Sequence, residues 1–142
     1  MAGRRSVVAA VVAACALGGG SAAAVAASST PTLGSHLGGK TKGFGQVQPR
    51  TVFLGGDPTG LVAQLIWKSW GKPVTVGTGT GYYPPPGKPV AAAVRVTITL
   101  TASSLGACKG HQAYKRLSFT FLYKGKAIKG SVWGMCGHLT AL

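Results

Sequence analysis

The side chains in this 142-residue sequence best suited to chemistry are one aspartate, three histidines and three cysteines. Asp57 is the sole acidic residue, set against fifteen lysines and arginines. A lone carboxylate excludes paired-carboxylate acid–base catalysis and carboxylate-rich calcium or magnesium sites. Asp57 could join His111 or His138 in a Ser-His-Asp hydrolase, but no nucleophile-elbow pattern accompanies it. Its setting, Gly55-Gly56-Asp57-Pro58-Thr59-Gly60, reads instead as a type I turn, with Asp first and Pro second. His36, His111 and His138 are scattered, and no pair has zinc-ligand spacing, so no metal is expected. Gly77-Thr78-Gly79-Thr80-Gly81 resembles a phosphate loop only superficially. A nucleotide cradle needs a helix start after the glycines, and Tyr82-Tyr83-Pro84-Pro85-Pro86 follows here. Alternating glycines clear one face of a strand, over which Trp67 or Trp70 can lie. The expectation is a non-enzymatic chain with no cofactor.

The cysteines point to export. Arg4-Arg5, an apolar stretch from Ser6 to Leu17 and a small-residue run form the parts of a secretory signal over residues 1–27. Two processing routes stay open. Cleavage after Ala26 or Ala27 releases a soluble protein, whereas Val12-Ala13-Ala14-Cys15 resembles a lipobox. In the second route residues 1–14 are removed and Cys15 carries lipid. Either way Cys108 and Cys136 remain as a pair, and an even count in an exported chain predicts a disulfide. The expected location is secreted, or the outer face of the cell membrane.

These residues need a scaffold. Residues 28–50, rich in Ser, Thr, Gly, Lys and Pro, read as a flexible tether. Residues 51–138 read as one β domain, and 139–142 as a C-terminal tail. Candidate strands are Thr51–Leu54, Leu61–Trp70, Val74–Tyr82, Ala91–Thr101, Ala113–Tyr123 and Lys126–Trp133. Val94, Val96, Ile98 and Leu100 alternate with Arg95, Thr97, Thr99 and Thr101, giving one apolar and one wet face. The fold class is therefore all-β: a small antiparallel sandwich or barrel of about six strands with one disulfide. A two-residue turn at Lys124-Gly125 would pair Tyr123 with Lys126, Phe121 with Ile128, Phe119 with Gly130 and Leu117 with Val132. That register satisfies both faces, and Phe119 would cover the bare glycine.

Removing Arg4 and Arg5 with the leader leaves thirteen basic side chains against one acidic, a net charge of +12. Such a field attracts anionic polymers or lipid headgroups of the cell envelope, and nucleic acid only unspecifically. Lys68, Arg95, Arg116 and Lys129 should project from wet strand faces, with Arg116 able to stack on Trp133. Trp70, Tyr82 and Tyr83, beside the Pro84–Pro86 run, could form an exposed aromatic shelf. The function expected is a non-catalytic envelope module that associates electrostatically with anionic polymers. The alternative is a secreted antagonist, a membrane-active toxin or enzyme inhibitor. Oligomeric state is not readable from these features.

Phe53-Leu54-Gly55-Gly56-Asp57-Pro58-Thr59-Gly60, Trp67-Lys68-Ser69-Trp70-Gly71, Gly77-Thr78-Gly79-Thr80, Tyr83-Pro84-Pro85, Leu105-Gly106-Ala107-Cys108 and Cys136-Gly137 occur in that order. The order resembles a pattern in small secreted proteins and lipoproteins of high-GC Gram-positive bacteria, with no known function. The extra glycine before Asp57 and the high lysine content depart from that pattern. The resemblance implies an exported chain and supplies no site residue.

Overall fold

The computed structural model describes residues 29–35, 42–55, 58–137, 140 and 141. The leader, Cys15, His36, Asp57 and His138 lie outside the described residues. The strands are β1 (Thr32–Leu33), β2 (Val52–Phe53), β3 (Leu61–Lys68), β4 (Thr75–Tyr83), β5 (Val94–Cys108), β6 (His111–Tyr123), β7 (Lys126–Trp133) and β8 (Thr140–Ala141). They form one sheet in the order β2-β3-β4-β5-β6-β7-β8, with β1 added parallel to β6. The sheet curls into a half-barrel. All other pairings are antiparallel.

Two tight turns set the register of the long strands. Lys124-Gly125 has φ of +48° and +77°, and Lys109-Gly110 has φ of +47° and +84°. Left-handed geometry at both central residues marks a type I′ turn, whose twist matches that of the flanking strands. The β6–β7 pairing is the one expected from the sequence: Tyr123 opposite Lys126, Phe121 opposite Ile128, Phe119 opposite Gly130 and Leu117 opposite Val132. A Cβ added at Gly130 would run into the Phe119 ring, so the ring does lie over the bare glycine. The Lys109-Gly110 turn was not anticipated. It lengthens β5 to Cys108 and starts β6 at His111, beyond the expected Ala91–Thr101 and Ala113–Tyr123.

The concave face carries the core. Val96, Ile98, Leu100 and Ala102 of β5 meet Leu117 and Phe121 of β6, Val132 of β7 and Val62 and Leu65 of β3. In β4 the buried positions are Thr75, Gly77, Gly79 and Gly81, while Val76 and Thr78 are exposed. The glycine stripe therefore faces inward. Trp67 lies across Gly77, with ring atoms 2.8 Å from an added Cβ, and the Ala63 carbonyl oxygen comes within 2.6 Å of one at Gly79. Gly77, Gly79 and Gly81 lie inside β4 and not in a loop before a helix, and Trp67 covers the glycine-cleared strand face.

The expected tether over 28–50 needs correction for its described parts. Leu33, Phe44 and Pro49 are buried in the domain. The indole N–H of Trp70 donates to the Pro31 carbonyl and that of Trp67 to the Pro49 carbonyl, both at 2.9 Å. Ser35 N–H donates to the Met135 carbonyl at 2.8 Å, and Leu33 N–H to the Gln46 carbonyl at 2.9 Å. Low hydrophobicity argued for a flexible chain, but a few anchors and satisfied backbone groups suffice to dock it. The domain thus includes β1. The expected C-terminal tail also needs correction, since β8 pairs Ala141 with Val132 and Thr140 with Trp133.

Cys108 and Cys136 form a disulfide with a Cα–Cα distance of 5.4 Å across 28 residues of sequence. It joins the β5–β6 turn to the segment after β7. A bridge of this kind belongs to a non-reducing, extracellular-type environment. Among the described residues no helix is long and apolar enough to cross a membrane.

Candidate functional site

The convex face of the sheet can be assembled row by row from the register. Lys68 lies opposite Val76, Val76 opposite Thr101, Thr101 opposite Ser118, and Ser118 opposite Ser131. The next row runs Ile66, Thr78, Thr99, Thr120 and Lys129, and beyond it Thr80 opposes Thr97 and Tyr82 opposes Arg95. On the other side Ser103 opposes Arg116. Residues opposite one another in a sheet share a face, about 4.8 Å apart across strands and about 6.7 Å along them. The result is a continuous field of threonine and serine hydroxyls over β4 to β7.

All four expected contact residues border this field. Lys68, Arg95, Arg116 and Lys129 are exposed and come from β3, β5, β6 and β7. The Arg116 guanidinium stacks 3.8 Å above the Trp133 ring, a contact the expected pairing allowed. Stacking on a half-buried indole gives that cation a fixed orientation. Arg95, Thr97, Thr99, Thr120 and Leu122 line an open hollow of about 470 Å³ on this face. No described residue carries a carboxylate side chain, because the only one in the chain is Asp57. The cations of this face therefore have no side-chain counterion among the described residues.

The array combines two kinds of group that interact with anions. Guanidinium and ammonium groups attract an anion through the long-range field, and hydroxyls donate short hydrogen bonds to its oxygens. Single-strand alternation revealed which basic residues face outward. It did not reveal the hydroxyl field, which spans four strands and exists only once the register is known. The signal for part of it was present in the wet-face residues Thr97, Thr99, Thr101, Ser118 and Thr120.

The aromatic shelf is not formed. Trp70 sits beyond the Thr75 end of β4, and Tyr82 near the other end, roughly 23 Å of strand away at ~3.3 Å per residue. Trp70 packs edge-to-face on Trp67 and Tyr114, with centroids at 4.9 and 5.0 Å. Tyr83 packs inward against Phe121 and Tyr123. Only Tyr82, 55% exposed, faces solvent beside Arg95. Adjacent residues on a strand point to opposite faces, so Tyr82 and Tyr83 cannot share a platform.

Tyr114 is fully buried, and its hydroxyl is doubly used. It accepts from Gly71 N–H at 2.9 Å and donates to the Lys72 carbonyl at 2.7 Å. Burial pushes its pKa above 10, partly offset by the Gly71 hydrogen bond. This arrangement is a structural lock on the 69–74 turn. Among the described residues no group of three His, Cys, Asp or Glu could hold a metal ion, and His111 stands opposite Cys108 at the β5–β6 turn. The hydrolase constellation with Asp57 and His138 falls on residues outside those described.

No protein-family model matches this chain, and no curated protein or solved structure matches it.

Proposed function

We propose that this protein is an exported, non-catalytic β module of the cell envelope, and that its convex face associates with anionic polymers. The observation that carries the reading is the shared placement of Lys68, Arg95, Arg116 and Lys129 around one hydroxyl field. Polyphosphate-type wall polymers and lipid headgroups present the matching chemistry, closely spaced anionic oxygens. Nucleic acid would bind the same face through its phosphates, without base selection. The disulfide and the leader sequence support export, and the resemblance to small secreted proteins and lipoproteins supports the same compartment.

The test is binding of the full chain to linear inorganic polyphosphate and to anionic vesicles across a salt series. Affinity should fall steeply between 50 and 500 mM salt, because exposed charges are screened within ~10 Å at 0.1 M. Retention unchanged by salt would overturn the electrostatic reading. Mass spectrometry of the mature N-terminus separates the two export routes: a start at Ala27 or Ser28 means a soluble product, and an acylated Cys15 a membrane anchor.

A further inference from the structure

The concave face is filled at one end and hollow at the other. Beyond Leu100 and Leu117 the half-barrel opens into a cavity of about 330 Å³, walled by Leu54, Tyr83, Ile98, Phe119, Phe121 and Ile128. Its volume and its apolar, aromatic lining match the lower range of small-ligand sites. Gly81 and Gly130 face inward here and let Ile98 and Phe119 lie close against the β4 and β7 backbone, which shapes the walls of the hollow.

Two lysines lie one side chain beyond its Tyr83 wall. Lys126 lies opposite Tyr123 and two residues before Ile128, so it belongs to the concave face. Tyr123 packs on the cavity wall at Tyr83, with ring centroids 5.1 Å apart, and the Lys124 ammonium sits 5.6 Å from the Tyr123 centroid. Neither lysine has a side-chain carboxylate partner among the described residues, since Asp57 is the only acid in the chain. An apolar hollow beside unpaired cations is complementary to a molecule with an apolar tail and a negative head.

We propose that this cavity binds a single-chain anionic amphiphile, a fatty acid, with its acyl chain along Phe119 and Ile128 and its carboxylate at Lys124 and Lys126. At about 330 Å³ the hollow is near the small end of ligand sites, which suits one short acyl chain. The site is on the opposite face from the hydroxyl field and shares none of its four cations, so either can fail alone.

The experiment is calorimetric titration of the full chain with sodium hexanoate, octanoate, decanoate, dodecanoate and tetradecanoate. Dissociation constants should drop about fourfold per added methylene and level off within the series, once the chain outgrows the hollow. Lys124→Gln/Lys126→Gln should weaken decanoate several-fold and leave decanol unchanged. Ile128→Trp, checked for folding by near-ultraviolet circular dichroism, should shift the levelling point to shorter chains. No binding of decanoate, no dependence on chain length, or equal affinity for decyltrimethylammonium would each overturn the proposal. These outcomes need only the unaltered chain, so they decide the matter even if a variant fails to fold.

Discussion

The two ends of the concave face differ sharply although both are built from aromatic and aliphatic side chains. At the Tyr114 end, Trp67, Trp70 and Tyr114 interlock, each spends its polar group on a backbone carbonyl or amide, and residues 29–35 and 42–50 close over them. At the Tyr83 end, Phe119 and Ile128 are only partly buried and border a cavity. The N-terminal segment separates the two ends. Where it docks, the half-barrel has a lid and a dry core; where it does not, the same sheet keeps an open trough. The disulfide reinforces the contrast, because Cys136 follows Met135, whose carbonyl receives Ser35 N–H.

If the Tyr114 end carries the stability, breaking it should cost most. Cys108→Ser/Cys136→Ser should lower unfolding free energy by about 3–4 kcal/mol, read from denaturant midpoints. Leu117→Ala, at a fully buried position, should cost about 3 kcal/mol. Ile128→Ala, beside the cavity, should cost about 1 kcal/mol, because the site already has a void on one side. Equal costs at these two positions would erase the contrast.

Tyr114→Phe should cost about 1–3 kcal/mol by leaving Gly71 N–H and the Lys72 carbonyl unpaired. Its pH dependence has a definite sign. The folded-state pKa lies above the unfolded value of 10.0, so the folded protein holds the proton longer. This contribution is complete below pH 10 and is lost as pH rises through the folded value. The stability gap between the natural chain and the Phe variant should therefore narrow above pH 10.

The glycines of the two regions also differ, and Gly79→Ala should be more damaging than Gly130→Ala. The first sets a Cβ against the Ala63 backbone oxygen, whereas the second meets the Phe119 ring, which borders open space. About 2 and about 1 kcal/mol are expected in thermal or denaturant unfolding.

The filled and hollow ends were not equally legible in the sequence. The β6–β7 hairpin could be written residue by residue because Lys124-Gly125 leaves only one register that serves both faces. Lys109-Gly110 carries the same turn signal, yet the polar, glycine-bearing stretch Ser103-Ser104-Leu105-Gly106 around it dilutes strand periodicity. The docking of residues 29–50 was hidden because its anchors Leu33, Phe44 and Pro49 have no period, and its hydrogen-bond donors Trp67 and Trp70 lie far along the chain. The cavity was hidden for a different reason: it depends on which side chains fail to meet. Outward-facing Lys68, Arg95, Arg116 and Lys129 were readable from alternation alone, but their common surface needed the cross-strand register.

In the proposed function, the placement of charge on the convex face, and not net charge alone, drives anion binding. The direct measurement compares two charge-matched variants by the slope of log affinity for polyphosphate against log salt. One variant carries Lys68→Gln, Arg95→Gln, Arg116→Gln and Lys129→Gln; the other carries Lys42→Gln, Lys72→Gln, Lys88→Gln and Lys109→Gln, at exposed positions off that face. The first variant should lose about three units of slope and the second should keep nearly all of it. Equal losses in the two would mean that net charge alone drives binding.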